Sequence, residues 1–94
     1  MKIIVMGAHP DDPETGCGGT IIKCTQHKHE VIALYMTKGE SGISNKSHSE
    51  AAHIRVAEAR RACTMMGCTP LFMSQIDGHA KVTDDASQEM IKIV

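Results

Sequence analysis

The chain has 94 residues, enough for one small domain with a modest core. Hydrophobic residues make up 41% and charged residues 22%, a balance that excludes an intrinsically disordered chain. A formal net charge of −1 argues against nucleic acid or an anionic membrane as the main partner, and one Tyr, one Phe and no Trp leave no aromatic platform for stacking bases or sugars.

The first element predicted is a strand over 2–6, "KIIVM", whose unbroken apolar run suits a parallel sheet covered on both faces. This run is too short for the core of a targeting signal, and His9 and Asp11 follow it at once. No stretch approaches the ~20 apolar residues of a spanning helix. A cytoplasmic protein without membrane insertion is therefore expected. Residues 7–14 read as a loop, and a first helix is expected from Glu14 or Thr15 to about His27, with Cys17, Ile21 and Cys24 on its apolar face. Gly16, Gly18 and Gly19 weaken that helix, so they are expected to allow close backbone approach to the sheet or loop.

"EVIALYMT", residues 30–37, is the clearest strand, followed by the polar loop "KGESGISNKS". Ser47 and Glu50 have the spacing of a capping box. The second helix is expected to run to about Met66, with Ala52, Val56, Ala59, Cys63 and Met66 as its apolar stripe and Gly67 as its C-cap. A third strand is expected over 70–75, then a loop over 77–85 and a third amphipathic helix in "DASQEMIKIV". Strand and helix alternate three times. This predicts right-handed βαβ crossovers and an α/β, Rossmann-like three-layer sandwich with a mostly parallel sheet. A three-stranded sheet has two edges and little cover, so residues 1–94 are expected to be the first three βα units of a longer domain. Cys17, Cys24, Cys63 and Cys68 show no C-x-x-C pairing and are expected as reduced, packed thiols.

Sites in open α/β sheets lie beyond the carboxyl ends of the strands. The loop after strand 1 holds His9, Asp11, Asp12 and Glu14, with Pro10 restraining the backbone between them. An imidazole and a carboxylate are ligand types of a catalytic zinc ion, and Asp11, between the two in sequence, could serve as a base. Other readings of the same residues stay open. The loop could be a turn that caps the helix. "GCGG" could mark an anion site, although it has neither the G-x-G-x-x-G nor the P-loop spacing. A small response-regulator-like or nucleotide-binding domain could use the acidic loop for magnesium.

"GAHPDDPETGCGGTI" resembles the N-terminal signature of the PIG-L/LmbE-like family of zinc-dependent N-acetylglucosaminyl deacetylases. "MTKGESG", "RVAEARRACTMMG" and "IDGHA" are similar, in order and type, to three further elements of that family. The resemblance spans almost the whole chain and identifies it as the N-terminal portion of a single catalytic domain. It implies Zn2+ as cofactor, His9 and Asp12 as metal ligands and Asp11 as the general base. It further implies that zinc-activated water attacks the acetamide carbonyl and that acetate leaves from a free amine. Glu40, Arg55 and Asp77 are implied as substrate contacts. The implied partner is a small N-acetylated amino sugar, and self-association into a homo-oligomer is left open.

The chain departs from the family in one respect. The family's third ligand comes from a downstream His-x-x-His segment, and the 94 residues contain none. His27, His29, His48 and His53 read as surface residues, and His79 lies nearer the site edge. A catalytically incomplete homologue or fragment that binds a sugar or partner is thus the competing reading.

Overall fold

The computed structural model describes residues 1–74 and 84–93. The elements run β1 (Lys2–Gly7), α1 (Asp12–Gln26), β2 (Glu30–Tyr35), α2 (His48–Met66), β3 (Thr69–Phe72) and α3 (Asp84–Ile93). The strands form one parallel sheet in the order β1-β2-β3, with Ile4 beside Ile32 and Leu34 beside Leu71. The α/β class and parallel sheet expected from the sequence are both present.

The central strand explains the core. Val31, Ile32, Ala33, Leu34 and Tyr35 are all buried, as a strand covered on both faces requires. Successive side chains alternate, so Val31, Ala33 and Tyr35 face one way and join Ile21 of α1 with Ala59, Cys63 and Met66 of α2. Full burial of one such large side chain contributes about 1.5–3 kcal/mol. On the opposite face Leu34 is fully buried, while its register neighbours Met6 and Leu71 remain partly exposed.

Several boundaries and faces differ from expectation. α1 begins at Asp12, two residues before Glu14, because Pro13 is tolerated in a first helical turn, where its missing N–H removes no helical bond. Cys17 is exposed, so it is not part of the buried face that Ile21 anchors. The helix glycines do not approach anything closely among the described residues. A Cβ added at Gly16 or Gly19 meets open space, and at Gly18 it would only touch the Met66 sulfur. The close approach falls instead at Gly7, where a Cβ would come within 2.6 Å of the Asp12 Cβ and 2.7 Å of the Pro13 Cδ.

α2 carries the N-cap half of the capping box expected for it: Glu50 N–H donates to Ser47 Oγ at 3.1 Å. Its C-terminus closes on Gly67 in the left-handed region, with φ 79°. Ala59, Cys63 and Met66 are buried as the expected stripe has them, and the row differs only in its first turns. Ala51, Ala59 and Cys63 are buried, with Arg55 between them at the same i,i+4 spacing, whereas Ala52 and Val56 are half-buried. β2 ends at Tyr35 rather than Thr37, yet the N–H groups of Met36 and Thr37 still donate to the Gly7 and Ala8 carbonyls. β3 runs from Thr69 to Phe72, and Gln75 lies outside the described residues. All four cysteines are free thiols. Among the described residues no helix is long and apolar enough to cross a membrane.

Candidate active site

The loop from Ala8 to Asp11 leaves the carboxyl end of β1 and enters α1, and each of its turns is tied to another element. Thr37, buried after β2, donates through its backbone N–H and its hydroxyl to the Ala8 carbonyl at 3.0 and 2.9 Å. The same hydroxyl accepts the Gly39 N–H at 3.2 Å. Arg55 reaches from α2 and donates from Nη2 to the Pro10 carbonyl at 2.8 Å. Its side chain is only 19% exposed and passes through the turn after β2. A Cβ at Gly39 or Gly42 would collide with its guanidinium. Gly39, with φ 66°, is also in the region that favours glycine.

This scaffold brings His9 and Asp12 together. His9 N–H donates to Asp12 Oδ2 at 2.9 Å, and His9 Nδ1 stands 3.4 Å from the same oxygen. Both side chains are roughly half exposed, so they face solvent rather than the core. Two ligands at about 2.0–2.2 Å from a tetrahedral zinc ion stand roughly 3.3–3.5 Å apart. The pair therefore has the donor types and the spacing that zinc would need. Among the described residues, no group of three or more His, Cys, Asp or Glu side chains is gathered to hold a metal.

Asp11 lies between them with φ 87° and ψ −28°, a left-handed conformation unusual for a residue with a side chain. That backbone turn sends its carboxylate outward, 83% exposed, with Arg55 Nη2 3.9 Å away. A pair so open to water contributes little stability. The Arg55–Pro10 hydrogen bond is the firmer tie.

Two residues, Glu14 and Tyr35, to which the sequence pattern assigned no role in the site, complete the loop. Glu14 Oε2 accepts the Asp11 N–H at 3.1 Å, and Glu14 Oε1 accepts the Tyr35 hydroxyl at 2.8 Å. Asp11 and Glu14 have the same i,i+3 spacing that pointed to a capping box at Ser47 and Glu50, so the signal was present. Tyr35 is the chain's single tyrosine, and its ring stacks on Phe72 with centroids 5.0 Å apart. Burial, then its hydrogen bonds with Cys63 and Glu14, push its phenol above the ordinary range, so it remains a donor.

Among the expected substrate contacts, Glu40 is half-buried in the loop after β2, beside the Gly39 turn that encloses Arg55. Asp77 and His79 lie outside the described residues. His27, His48 and His53 are exposed and His29 is half-buried.

Residues 4–94 match the family model PIG-L, GlcNAc-PI de-N-acetylase. The chain belongs to the PIG-L family. A relative is the uncharacterized deacetylase YaiS of Escherichia coli strain K12, 36% identical over 95 residues, a match covering 96% of this chain and 48% of that protein. The diacetylchitobiose deacetylase of Thermococcus kodakarensis is 28% identical over 96 residues, covering 99% of this chain and 36% of its own. Among solved structures, the N,N'-diacetylchitobiose deacetylase from Pyrococcus horikoshii, complexed with its inhibitor, superposes with a TM-score of 0.92 at 29% identity, over 98% of this chain and 36% of that one. The chain thus spans half or less of the length of these relatives. Membership in the PIG-L family and the superposition on the solved relative agree with the Rossmann-like fold.

Proposed function

We propose that residues 1–94 are the N-terminal portion of a single catalytic domain, in a cytoplasmic protein that removes the acetyl group from an N-acetylglucosamine-type amino sugar or its conjugate. The observation that carries this reading is the His9–Asp12 pair, 3.4 Å apart at the mouth of the sheet, with an outward-facing carboxylate between them in sequence. Relatives named as deacetylases, two of them acting on diacetylchitobiose by name, support the substrate class.

Zinc held by His9 and Asp12 would supply Lewis acidity and a more acidic water. The chain's own residues then have separate tasks. Asp11 takes the proton of the attacking water as its oxygen bonds to the acetamide carbonyl carbon, and returns a proton to the nitrogen as the C–N bond breaks. Acetate and a free amine result. Arg55 and Thr37 hold the loop that carries these groups, through the Pro10 and Ala8 carbonyls. The substrate-contact roles that the family resemblance implies fall to Glu40, Arg55 and Asp77 in this reading.

The test is acetate and amine release from an N-acetylglucosaminide by the full-length protein and by its Asp11→Asn variant. The expected loss on removing a positioned base is about 10²- to 10⁴-fold, with zinc retained. Full activity in a zinc-bound Asp11→Asn protein would overturn the base assignment. A wild type that binds the sugar without releasing acetate would favour a binding module of the same fold.

A further inference from the structure

We infer that Glu14 is a positioning residue for Asp11, and that Tyr35 fixes Glu14 in that role from the core. The inference rests on the reading of Asp11 as the catalytic base. Asp11 occupies a backbone conformation that side chains rarely adopt, at φ 87°. Such conformations persist where the surroundings over-determine them. Here the surroundings are specific. The Asp11 N–H is held by Glu14 Oε2 at 3.1 Å, and the preceding carbonyl, of Pro10, is held by Arg55 at 2.8 Å.

Glu14 is itself held from beneath. Its second carboxylate oxygen accepts the Tyr35 hydroxyl at 2.8 Å, from a side chain with no exposed surface. Tyr35 is fixed in turn by stacking on Phe72 and by a 3.5 Å contact of its hydroxyl with Cys63 Sγ. The line Asp11–Glu14–Tyr35–Cys63 therefore joins the loop to α2 through β2. The capping box of α1 accounts for the first of these bonds and for nothing beyond it. The buried tyrosine from another element makes Glu14 a strut as well as a local cap. A strut matters to catalysis because a displacement of about 1 Å in a reacting group can cost on the order of 10²-fold in rate.

The experiment uses the zinc-loaded full-length protein and its Glu14→Ala, Glu14→Gln and Tyr35→Phe variants, with an N-acetylglucosaminide as substrate. Two readouts are taken: steady-state kinetics and hydrogen exchange at the Asp11 amide. Glu14→Ala is expected to lower kcat by up to about 10²-fold, and Tyr35→Phe by about tenfold, with KM and zinc content unchanged. Glu14→Gln should recover most of the rate. Its amide oxygen can still accept the Asp11 N–H, and its NH₂ can donate to the Tyr35 oxygen while the phenolic proton turns to Cys63. The Asp11 amide should be protected in the wild type and in Glu14→Gln, and exposed in the other two.

Unchanged kcat in both Glu14→Ala and Tyr35→Phe would overturn the inference. So would a rate loss that follows zinc content, which would mean a purely structural role. An inactive wild type would remove the deacetylase reading by itself. The strut would then be judged by exchange: protection lost in both variants sustains it, and an unprotected wild-type Asp11 amide defeats it.

Discussion

Gly7 is a position where one methyl group bears directly on the site. The chain must pass from the last residue of β1 into α1 within a few residues. The Asp12 Cβ and Pro13 Cδ occupy the space that a side chain at position 7 would need. Gly7→Ala should therefore destabilise the fold by about 1–3 kcal/mol, as overpacking does, and weaken zinc binding through Asp12. Thermal unfolding together with zinc titration checks this. An alanine variant with wild-type stability and affinity would show that the loop yields freely. Cys68 offers a second test at this scale. Burial first, then the hydrogen bond with Cys63, lift its thiol from the ordinary 9.0 to about 12. Because the folded state holds this proton more tightly, its stabilising effect is complete below about pH 9 and is lost as pH rises toward 12. Tyr35 acts in the same direction. The unfolding midpoint under reducing conditions should fall with rising alkalinity, and less steeply in Cys68→Ala. Equal slopes in the two proteins would contradict the assignment.

Between elements, the tie to watch joins α1 to the end of α2. Thr25 donates its hydroxyl to the Met66 carbonyl at 2.6 Å, taking up one of the carbonyls that a helix end leaves without a partner. Gly67 packs against the same threonine, with a 3.2 Å approach to its Oγ1 for any added Cβ. Thr25→Val keeps the shape and deletes the donor, so a loss of about 1–3 kcal/mol is expected in urea unfolding, with the m-value unchanged. An unaltered midpoint would mean that water takes over the bond. This scale also shows why parts of the structure could be read from sequence and parts could not. β2 and the ends of α2 were legible because Val31–Tyr35 is a continuous apolar run and Ser47 and Gly67 are strong caps. The N-terminal part of the buried row of α2 was misplaced, at Ala52 and Val56, because Arg55 occupies the true row there. A guanidinium does not look apolar, but its stem can line a buried seam while its head binds a carbonyl. The helix glycines misled for the opposite reason: a pattern that suggests close approach meets open space among the described residues.

For the whole molecule, the loop after β1 is where fold and site meet. The residues of "HPDD" could be picked out by type, and the match over residues 4–94 ties the chain that carries them to the PIG-L family. The supports beneath them are long-range and could not. Thr37 to Ala8, Arg55 to Pro10 and Tyr35 to Glu14 each join residues more than twenty positions apart. No local pattern encodes such pairs. They become visible once β1 and β2 lie side by side and α2 returns across the same face. The central claim is that this supported loop is a zinc centre built on His9 and Asp12. Elemental analysis of the full-length protein after zinc loading and desalting tests it most directly. The account predicts about one zinc per chain in the wild type and a folded His9→Ala, Asp12→Ala double variant without it. A double variant that keeps its zinc would contradict the claim.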